Sequence, residues 1–430
     1  MNITKKKKEL EGAGVKLPQG VIQRKIKKEI IPWLKRDEII IITGARQTGK
    51  SVLIYQLIYE QILPKTLNVF YFNLDIPHQL DFFKDPDRLI NLIRKCKGKV
   101  YVFIDEIQRL NEPGLFLKGV YDLHLPVKII VSGSSSVELK SKVSEALTGR
   151  KVVFHITPFD LEELSCAMFP KERFVNVIKS ENSFKNLLHT YLTYGGYPAV
   201  AMEKSKKMKW HLLKEIFQSY MEKDIKSFLK VENEKAFIHL VKVLASQVGN
   251  IVNKDELSNT LGIHKNTLDN YLFYLEQTFI LDFVRPFYRN PRKELLKSPK
   301  VYFNDLGMRN FAISSFGEFD FRADKGSLFE NFFYLYLKEK LNQSTQIHYW
   351  RTKAGAEVDF VVLKGLSPVP FEVKATSLNE PKISKSFRSF LQSYQPEKAY
   401  YLNLSLNEKV KFEKTILLFL RPQDLTHIEF

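Results

Sequence analysis

Residues 44–51 read Gly44-Ala45-Arg46-Gln47-Thr48-Gly49-Lys50-Ser51. This is the G-x-x-x-x-G-K-[ST] spacing with which a backbone loop wraps phosphate oxygens. The glycines let successive N–H groups turn inward as an anion-binding concavity. Lys50 would reach the β- and γ-phosphates of ATP, and Ser51 would ligate Mg²⁺. A second candidate element, Asp105-Glu106, ends the strand-like run of residues 99–104, which is apolar after Lys99. Asp105 would hold the Mg²⁺ through water, and Glu106 would orient the attacking water. Residues 127–131 lead into Ser132-Gly133-Ser134. A polar side chain there, with Ser132 the candidate, would sit between the two elements and sense the γ-phosphate.

These groups need a scaffold. Residues 38–43 (Glu-Ile-Ile-Ile-Ile-Thr) are a β-branched run of the kind that forms a buried parallel strand. Residues 52–61 have helical spacing, and a helix there would add its positive N-terminal end to the loop. Residues 69–73 (Val-Phe-Tyr-Phe-Asn) supply an intervening strand. Strand, glycine loop and helix together are the context the motif requires.

A further set of reactive residues lies near the C-terminus. Glu357-Val358-Asp359-Phe360-Val361-Val362 alternates like a strand, a turn follows, and Pro370-Phe371-Glu372-Val373-Lys374 returns. Asp-x₁₂-Glu-x-Lys on a hairpin matches the PD-(D/E)XK nuclease core, with Val358 where that pattern carries proline. Asp359 and Glu372 would share a second Mg²⁺, Lys374 would polarise its water or hold the phosphate, and Glu330 would add a carboxylate from a preceding helix.

Between the two regions, residues 160–250 read as largely helical. Residues 254–261 form a short helix pattern, Gly262 breaks it, and residues 264–277 form a second: a helix-turn-helix spacing. His264, Lys265, Asn266 and Thr267 begin the second helix, where base contacts usually arise. Residues 279–284 and the basic stretch after them would make a wing, with Arg285, Arg289, Arg292, Lys293, Lys297 and Lys300 suited to phosphate contacts.

Composition bounds these readings. A chain of 430 residues suits two or three domains, and 44% apolar residues suffice for real cores. Lys+Arg minus Asp+Glu is 66 − 48 = +18, which points to a polyanionic partner such as duplex or branched DNA. The excess lies in residues 1–170 (27 basic, 19 acidic) and 171–310 (23 and 15), and hardly in 311–430 (16 and 14). Two cysteines exclude a disulfide scaffold, and nine scattered histidines show no zinc spacing. No apolar run approaches a membrane span, and no secretory signal follows Lys5–Lys8, so a cytoplasmic location is expected.

The chain resembles the prokaryotic AAA+-type ATPases that carry a C-terminal domain of unknown function with a nuclease-like core. The resemblance rests on GARQTGKS, VYVFIDEIQ, IIVSGSSS and LTGRKVVFHITPFDLEEL. It continues through Tyr194–Pro198 (YGGYP), Asp305–Arg309 (DLGMR), Phe329–Asn331 and Tyr349–Arg351, covering nearly the whole chain from about residue 22. It implies a helical lid, a winged helix, a restriction-endonuclease-like end and a homo-oligomer in which an arginine completes a neighbour's site, with Arg150 the candidate.

The expected architecture is therefore α/β and multidomain. Residues 1–165 would be a P-loop, AAA+-like ATPase core, 166–300 a helical lid and winged helix, and 301–430 a restriction-endonuclease-like α/β domain. The expected activity is a Mg²⁺-dependent ATPase driving remodelling, translocation or branch migration of DNA. An ATP-gated nuclease and a nucleotide-dependent switch or scaffold for a protein partner are the alternatives.

Overall fold

The computed structural model describes residues 2–133, 147–222, 233–288, 297–341, 345–365 and 367–429. Ser134, Arg289, Arg292 and Lys293 lie outside the described residues. Two compact units make up the chain: residues 1–158 with 277–279, and residues 159–276 with 280–430.

The first unit is built on a five-stranded parallel sheet. Its strands are β1 (Ile39–Thr43), β2 (Val69–Asn73), β3 (Val100–Asp105), β4 (Val127–Gly133) and β5 (Lys151–His155), in the order β2-β3-β4-β1-β5. The isoleucine run of β1 is explained by burial on both faces. Ile40 and Ile42 pack with Phe103, Ile130 and helix α1 (Lys50–Gln56), while Ile39 and Ile41 pack with Val102, Ile104 and Val131 on the other side. Such two-sided cover is what makes parallel strands read as continuous apolar runs. The helical path from Lys50 continues past Gln56 as a π-helical turn, Leu57–Ile62.

In the second unit a helical region leads into an eight-stranded mixed sheet. The helices include α2 (Glu181–Tyr194), α3 (Lys206–Ser219), α4 (Glu234–Ser246), α5 (Lys254–Leu261) and α6 (Lys265–Gln277). The strands are β6 (Leu281–Pro286), β7 (Lys300–Phe303), β8 (Ile347–Arg351), β9 (Glu357–Lys364), β10 (Ser367–Val373), β11 (Lys398–Leu402), β12 (Glu408–Phe412) and β13 (Thr415–Leu420). Their order is β12-β13-β11-β10-β9-β8-β6-β7. Helices α7 (Leu306–Ala312) and α8 (Lys325–Lys340) precede β8, and α9 (Lys385–Tyr394) joins β10 to β11.

The expected division at 300/301 meets a different organisation. It cuts into β7, which pairs antiparallel with β6 from Leu281↔Phe303 to Val284↔Lys300, and β6 in turn pairs with β8. The hairpin that follows α6 is thus hydrogen-bonded into the C-terminal sheet, and no break in the backbone ladder separates the two.

Candidate functional sites

The phosphate loop leaves β1 at Gly44 and enters α1 at Lys50. A Cβ on Gly44 would lie 2.2 Å from the Ile156 carbonyl oxygen, so only glycine fits this close approach. Gly49, with φ 94°, caps α1 in a left-handed conformation, and Gln47 is also left-handed. The Thr48 hydroxyl donates to the Ala45 carbonyl (2.8 Å) across the loop. The Lys50 ammonium is buried and donates to the carbonyls of Gly44 (3.0 Å) and Ala45 (2.9 Å). Buried Arg24 braces the loop from outside, donating to the carbonyls of Thr48 and Thr157 (both 2.7 Å).

Sheet order brings the other groups alongside. Because β4 lies between β1 and β3, the carboxyl ends of all three open onto one edge, with Ile42 opposite Ser132 and Asn73 opposite Asp105. Asp105 is almost fully buried. Its Oδ2 accepts the Ser51 hydroxyl (2.5 Å) and the Tyr71 hydroxyl (3.0 Å), and its Oδ1 accepts the Ser132 hydroxyl. Glu106 sits at φ 59°, a left-handed position costing a non-glycine residue about 1–3 kcal/mol, and the Gln108 amide donates to its carboxylate.

This donor set suits a nucleotide and its metal ion. Hydroxyl and carboxylate oxygens are the hard ligands Mg²⁺ takes. A glycine cradle with inward N–H groups and a buried lysine is what phosphate oxygens require. Arg150 stands away from these groups: it pairs with Asp122 (3.1 Å) beside Tyr121 in its own chain.

The second cluster forms where β9 and β10 pair. Phe360 is opposite Phe371, so Asp359 and Glu372, one step further along, are neighbours. Lys374 bridges them, 3.1 Å from Asp359 and 3.0 Å from Glu372, and Asp359 also accepts the Val373 amide (2.7 Å). Glu372 Oε2 is buried with no hydrogen-bond partner. Burial, then repulsion by Asp359, pushes Glu372 up to about 7. Burial lowers the Lys374 pKa, but Asp359 and Glu372 more than reverse this and raise it.

Glu330, on α8, faces a different cation. It accepts the Tyr302 hydroxyl (2.5 Å) and lies 3.4 Å from Lys300, which also pairs with Glu357 (2.6 Å). Burial is the main cause of its rise to about 7. Among the described residues, no group of three or more His, Cys, Asp or Glu side chains is set to hold a metal ion. The expected trio Glu330, Asp359 and Glu372 does not stand as one such group: Glu330 pairs with Lys300, and Asp359 and Glu372 pair with Lys374.

The expected nucleic-acid face is less positive than its sequence. His264, Lys265 and Asn266 are exposed and Thr267 is half-buried at the start of α6, after Gly262 closes α5 in the left-handed conformation. However, Lys265 pairs with Asp255 (2.5 Å) and Lys254 with Asp269 (2.6 Å). Acidic neighbours thus neutralise both lysines locally.

The two glycine-containing signatures meet as a packing junction. The Asp305 carboxylate caps α7 by accepting the Met308 amide (2.8 Å), and it also accepts the Gly196 amide (2.7 Å). A Cβ on Gly195 would lie 2.3 Å from that carboxylate, and one on Gly307 would lie 2.1 Å from the Tyr194 carbonyl oxygen. Arg309, fully buried, pairs with Asp324 and donates to the Ala245 carbonyl.

Sequence reading passed over Tyr71, Gln108 and Arg24 at the first cluster and Tyr302 at the second, and it placed Lys300 in a phosphate-contacting arm, whereas Lys300 is buried against Glu330 and Glu357. The one available signal was Tyr71, a hydroxyl inside an otherwise apolar strand. The others become neighbours only through folding.

A parallel sheet with a G-x-x-x-x-G-K-S loop after β1 and an acidic pair after β3 defines a P-loop NTPase core. Residues 36–165 match the AAA domain family. Residues 185–318 and 325–420 match two domains of unknown function, DUF8612 and DUF4143. An uncharacterized protein of Haemophilus influenzae is 27% identical over 350 residues, 78% of this chain and 82% of that one. An uncharacterized protein of Methanocaldococcus jannaschii is 27% identical over 392 residues, 84% of this chain and 81% of its own. Among solved structures, the ORC2 protein of Aeropyrum pernix (ADP form) is similar with TM-score 0.35 and 11% identity, over 67% of this chain and 91% of that one. AMPPCP-bound DnaA from Aquifex aeolicus is similar with TM-score 0.29 and 13% identity, over 58% and 86%. Among the described residues, no helix is long and apolar enough to cross a membrane.

Proposed function

We propose that the protein is a Mg²⁺-dependent ATPase acting on DNA through phosphate contacts, with hydrolysis driving remodelling, translocation or branch migration. The observation that carries the ATPase reading is the convergence of Lys50, Ser51, Asp105 and Ser132 at one sheet edge. The loop amides and Lys50 bind the β- and γ-phosphates. By donating its hydrogen bond to Asp105, the Ser51 hydroxyl leaves its lone pairs free for a cation. Glu106 orients the attacking water by accepting its hydrogen bond. Mg²⁺, when bound, supplies the positive charge that offsets charge developing on the phosphate oxygens. Arg150 would serve a neighbouring copy after leaving Asp122.

The DNA part rests on the net charge of +18 and on the α5–Gly262–α6 arrangement followed by the β6–β7 hairpin, read as a winged helix. The basic excess of residues 171–310 favours backbone contact over base readout there, through cations other than the paired Lys254 and Lys265. Hydrolysis measured alone and with single-stranded, duplex and four-way-junction DNA tests it. Stimulation by one form supports the reading, and a rate indifferent to all three overturns its DNA part.

A second reading is favoured by one observation: Lys374 lies within hydrogen-bonding distance of both Asp359 and Glu372 at the end of a hairpin. In it the C-terminal sheet is a PD-(D/E)XK-type nuclease gated by nucleotide, with Lys374 released from the carboxylates when a divalent cation binds. Cleavage lost in Asp359→Ala while hydrolysis persists would support it.

A further inference from the structure

Asp105 accepts a third hydroxyl besides those of Ser51 and Ser132. Its Oδ2, the oxygen that accepts Ser51, also accepts the hydroxyl of Tyr71 at 3.0 Å. Tyr71 comes from β2, the strand beside β3, two residues before Asn73, which is opposite Asp105. Residues i and i+2 share a strand face, so Tyr71, Phe103 and Asp105 all point to the side packed with α1. Tyr71 is 9% exposed, and its ring packs edge-on against Tyr55 of α1, with centroids 5.5 Å apart. The Tyr55 and Tyr71 hydroxyls are 3.4 Å apart.

The geometry points to Tyr71 as a positioning residue for the metal half of the nucleotide site: it fixes the rotation of the Asp105 carboxylate so that Oδ2 faces Ser51. With Oδ2 so fixed, the Ser51 proton has one acceptor direction, and the Ser51 lone pairs are aimed at the cation. Without the phenol, only the Ser51 and Ser132 hydroxyls hold the carboxylate, and Oδ2 keeps its direction less firmly when a cation binds. Tyr71 does not touch the loop amides, so its contribution belongs to the metal and not to the phosphates. This inference rests on the nucleotide-binding reading above.

The test is a binding titration. A fluorescent ATP analogue is bound to the full-length wild type, Tyr71→Phe and Tyr55→Phe, first in EDTA and then with increasing Mg²⁺. A hydrogen bond to a charged group is worth enough to predict a roughly 10-fold rise in the Mg²⁺ concentration needed for half-maximal tightening in Tyr71→Phe. Affinity in EDTA should stay within about twofold of wild type, since the phosphate contacts are intact. Tyr55→Phe, which leaves the Tyr71–Asp105 bond in place, should match wild type. A Tyr71→Phe midpoint within about twofold of wild type overturns the assignment. So does an equal loss in EDTA and in Mg²⁺, or a changed circular-dichroism spectrum, because either makes the hydroxyl a general structural element. A wild type that binds no nucleotide at all would instead remove the underlying nucleotide reading.

Discussion

Gly44→Ala probes the phosphate loop where its geometry is least forgiving. The new Cβ would lie 2.2 Å from the Ile156 carbonyl oxygen and 2.7 Å from the Ile156 side chain. Ordinary contact requires more than 3 Å, so the loop and the segment after β5 must part by about 1 Å. That movement strains the 2.7 Å hydrogen bond from the Ile156 amide to the Thr43 carbonyl. Overpacking costs about 1–3 kcal/mol and a lost hydrogen bond about 1, for roughly 2–4 kcal/mol in total. For a unit of this size, about 2–4 °C per kcal/mol predicts a fall in Tm of roughly 5–15 °C. Gly119→Ala is the matched control: it lies in the helix Pro113–Asp122, exposed, with nothing within 4 Å of its would-be Cβ. Alanine there should stabilise by about 0.5–1 kcal/mol through helix propensity. Differential scanning calorimetry of both variants, with a nucleotide-binding titration, decides the matter. A Gly44→Ala protein melting within 2 °C of wild type and binding ATP normally would refute the close-approach reasoning.

Gly307→Ala should destabilise the second unit by about 2–4 kcal/mol, because its Cβ would meet the Tyr194 carbonyl oxygen; urea denaturation followed by circular dichroism measures it. Glu372 sits near 7 in the folded protein, well above its unfolded value, so its contribution to stability is present at low pH and lost as pH rises through 7. The fall in Tm from pH 5.5 to pH 8 should accordingly be smaller in Glu372→Gln than in wild type. By the same protonation, Mn²⁺ binding at the Asp359–Glu372 pair should tighten as pH rises from 6 to 8, and calorimetric titration at both pH values would show it. If DNA is held by its phosphates, mobility-shift affinity should fall steeply between about 50 and 200 mM salt, and the double variant Lys265→Ala/Asp255→Ala, which removes both charges of one pair, should change it little.

The nucleotide core was readable because its chemistry is local. One loop holds Gly44 to Ser51, and Asp105-Glu106 follows directly on an apolar strand, so type and spacing sufficed. The strands at Val69–Asn73 and Glu357–Lys364 and the helices around Gly262 were legible for the same reason: burial and a left-handed turn leave short-range patterns. What escaped the sequence depends on distant pairing. β7 is four residues long and begins with a lysine, which reads as loop until Lys300 is seen buried against Glu330 and Glu357. That strand also makes the hairpin after α6 part of the C-terminal sheet, which no composition shift announces. Arg24 and Tyr71 act on the site across many intervening residues, and periodicity carries no information about such contacts. Lys265 read as a contact residue because Asp255, the aspartate that pairs with it, lies on the facing helix.

The most direct test of the central claim sets three proteins side by side: wild type, Lys50→Ala and Glu106→Gln, each measured for ATP binding and for steady-state ATP hydrolysis with Mg²⁺. The account predicts that wild type binds and hydrolyses, that Glu106→Gln binds but turns over at least about 100-fold more slowly, and that Lys50→Ala loses both. Hydrolysis by Lys50→Ala at the wild-type rate would contradict it, because the residues gathered at the ends of β1, β3 and β4 would then not be the ones that act on ATP.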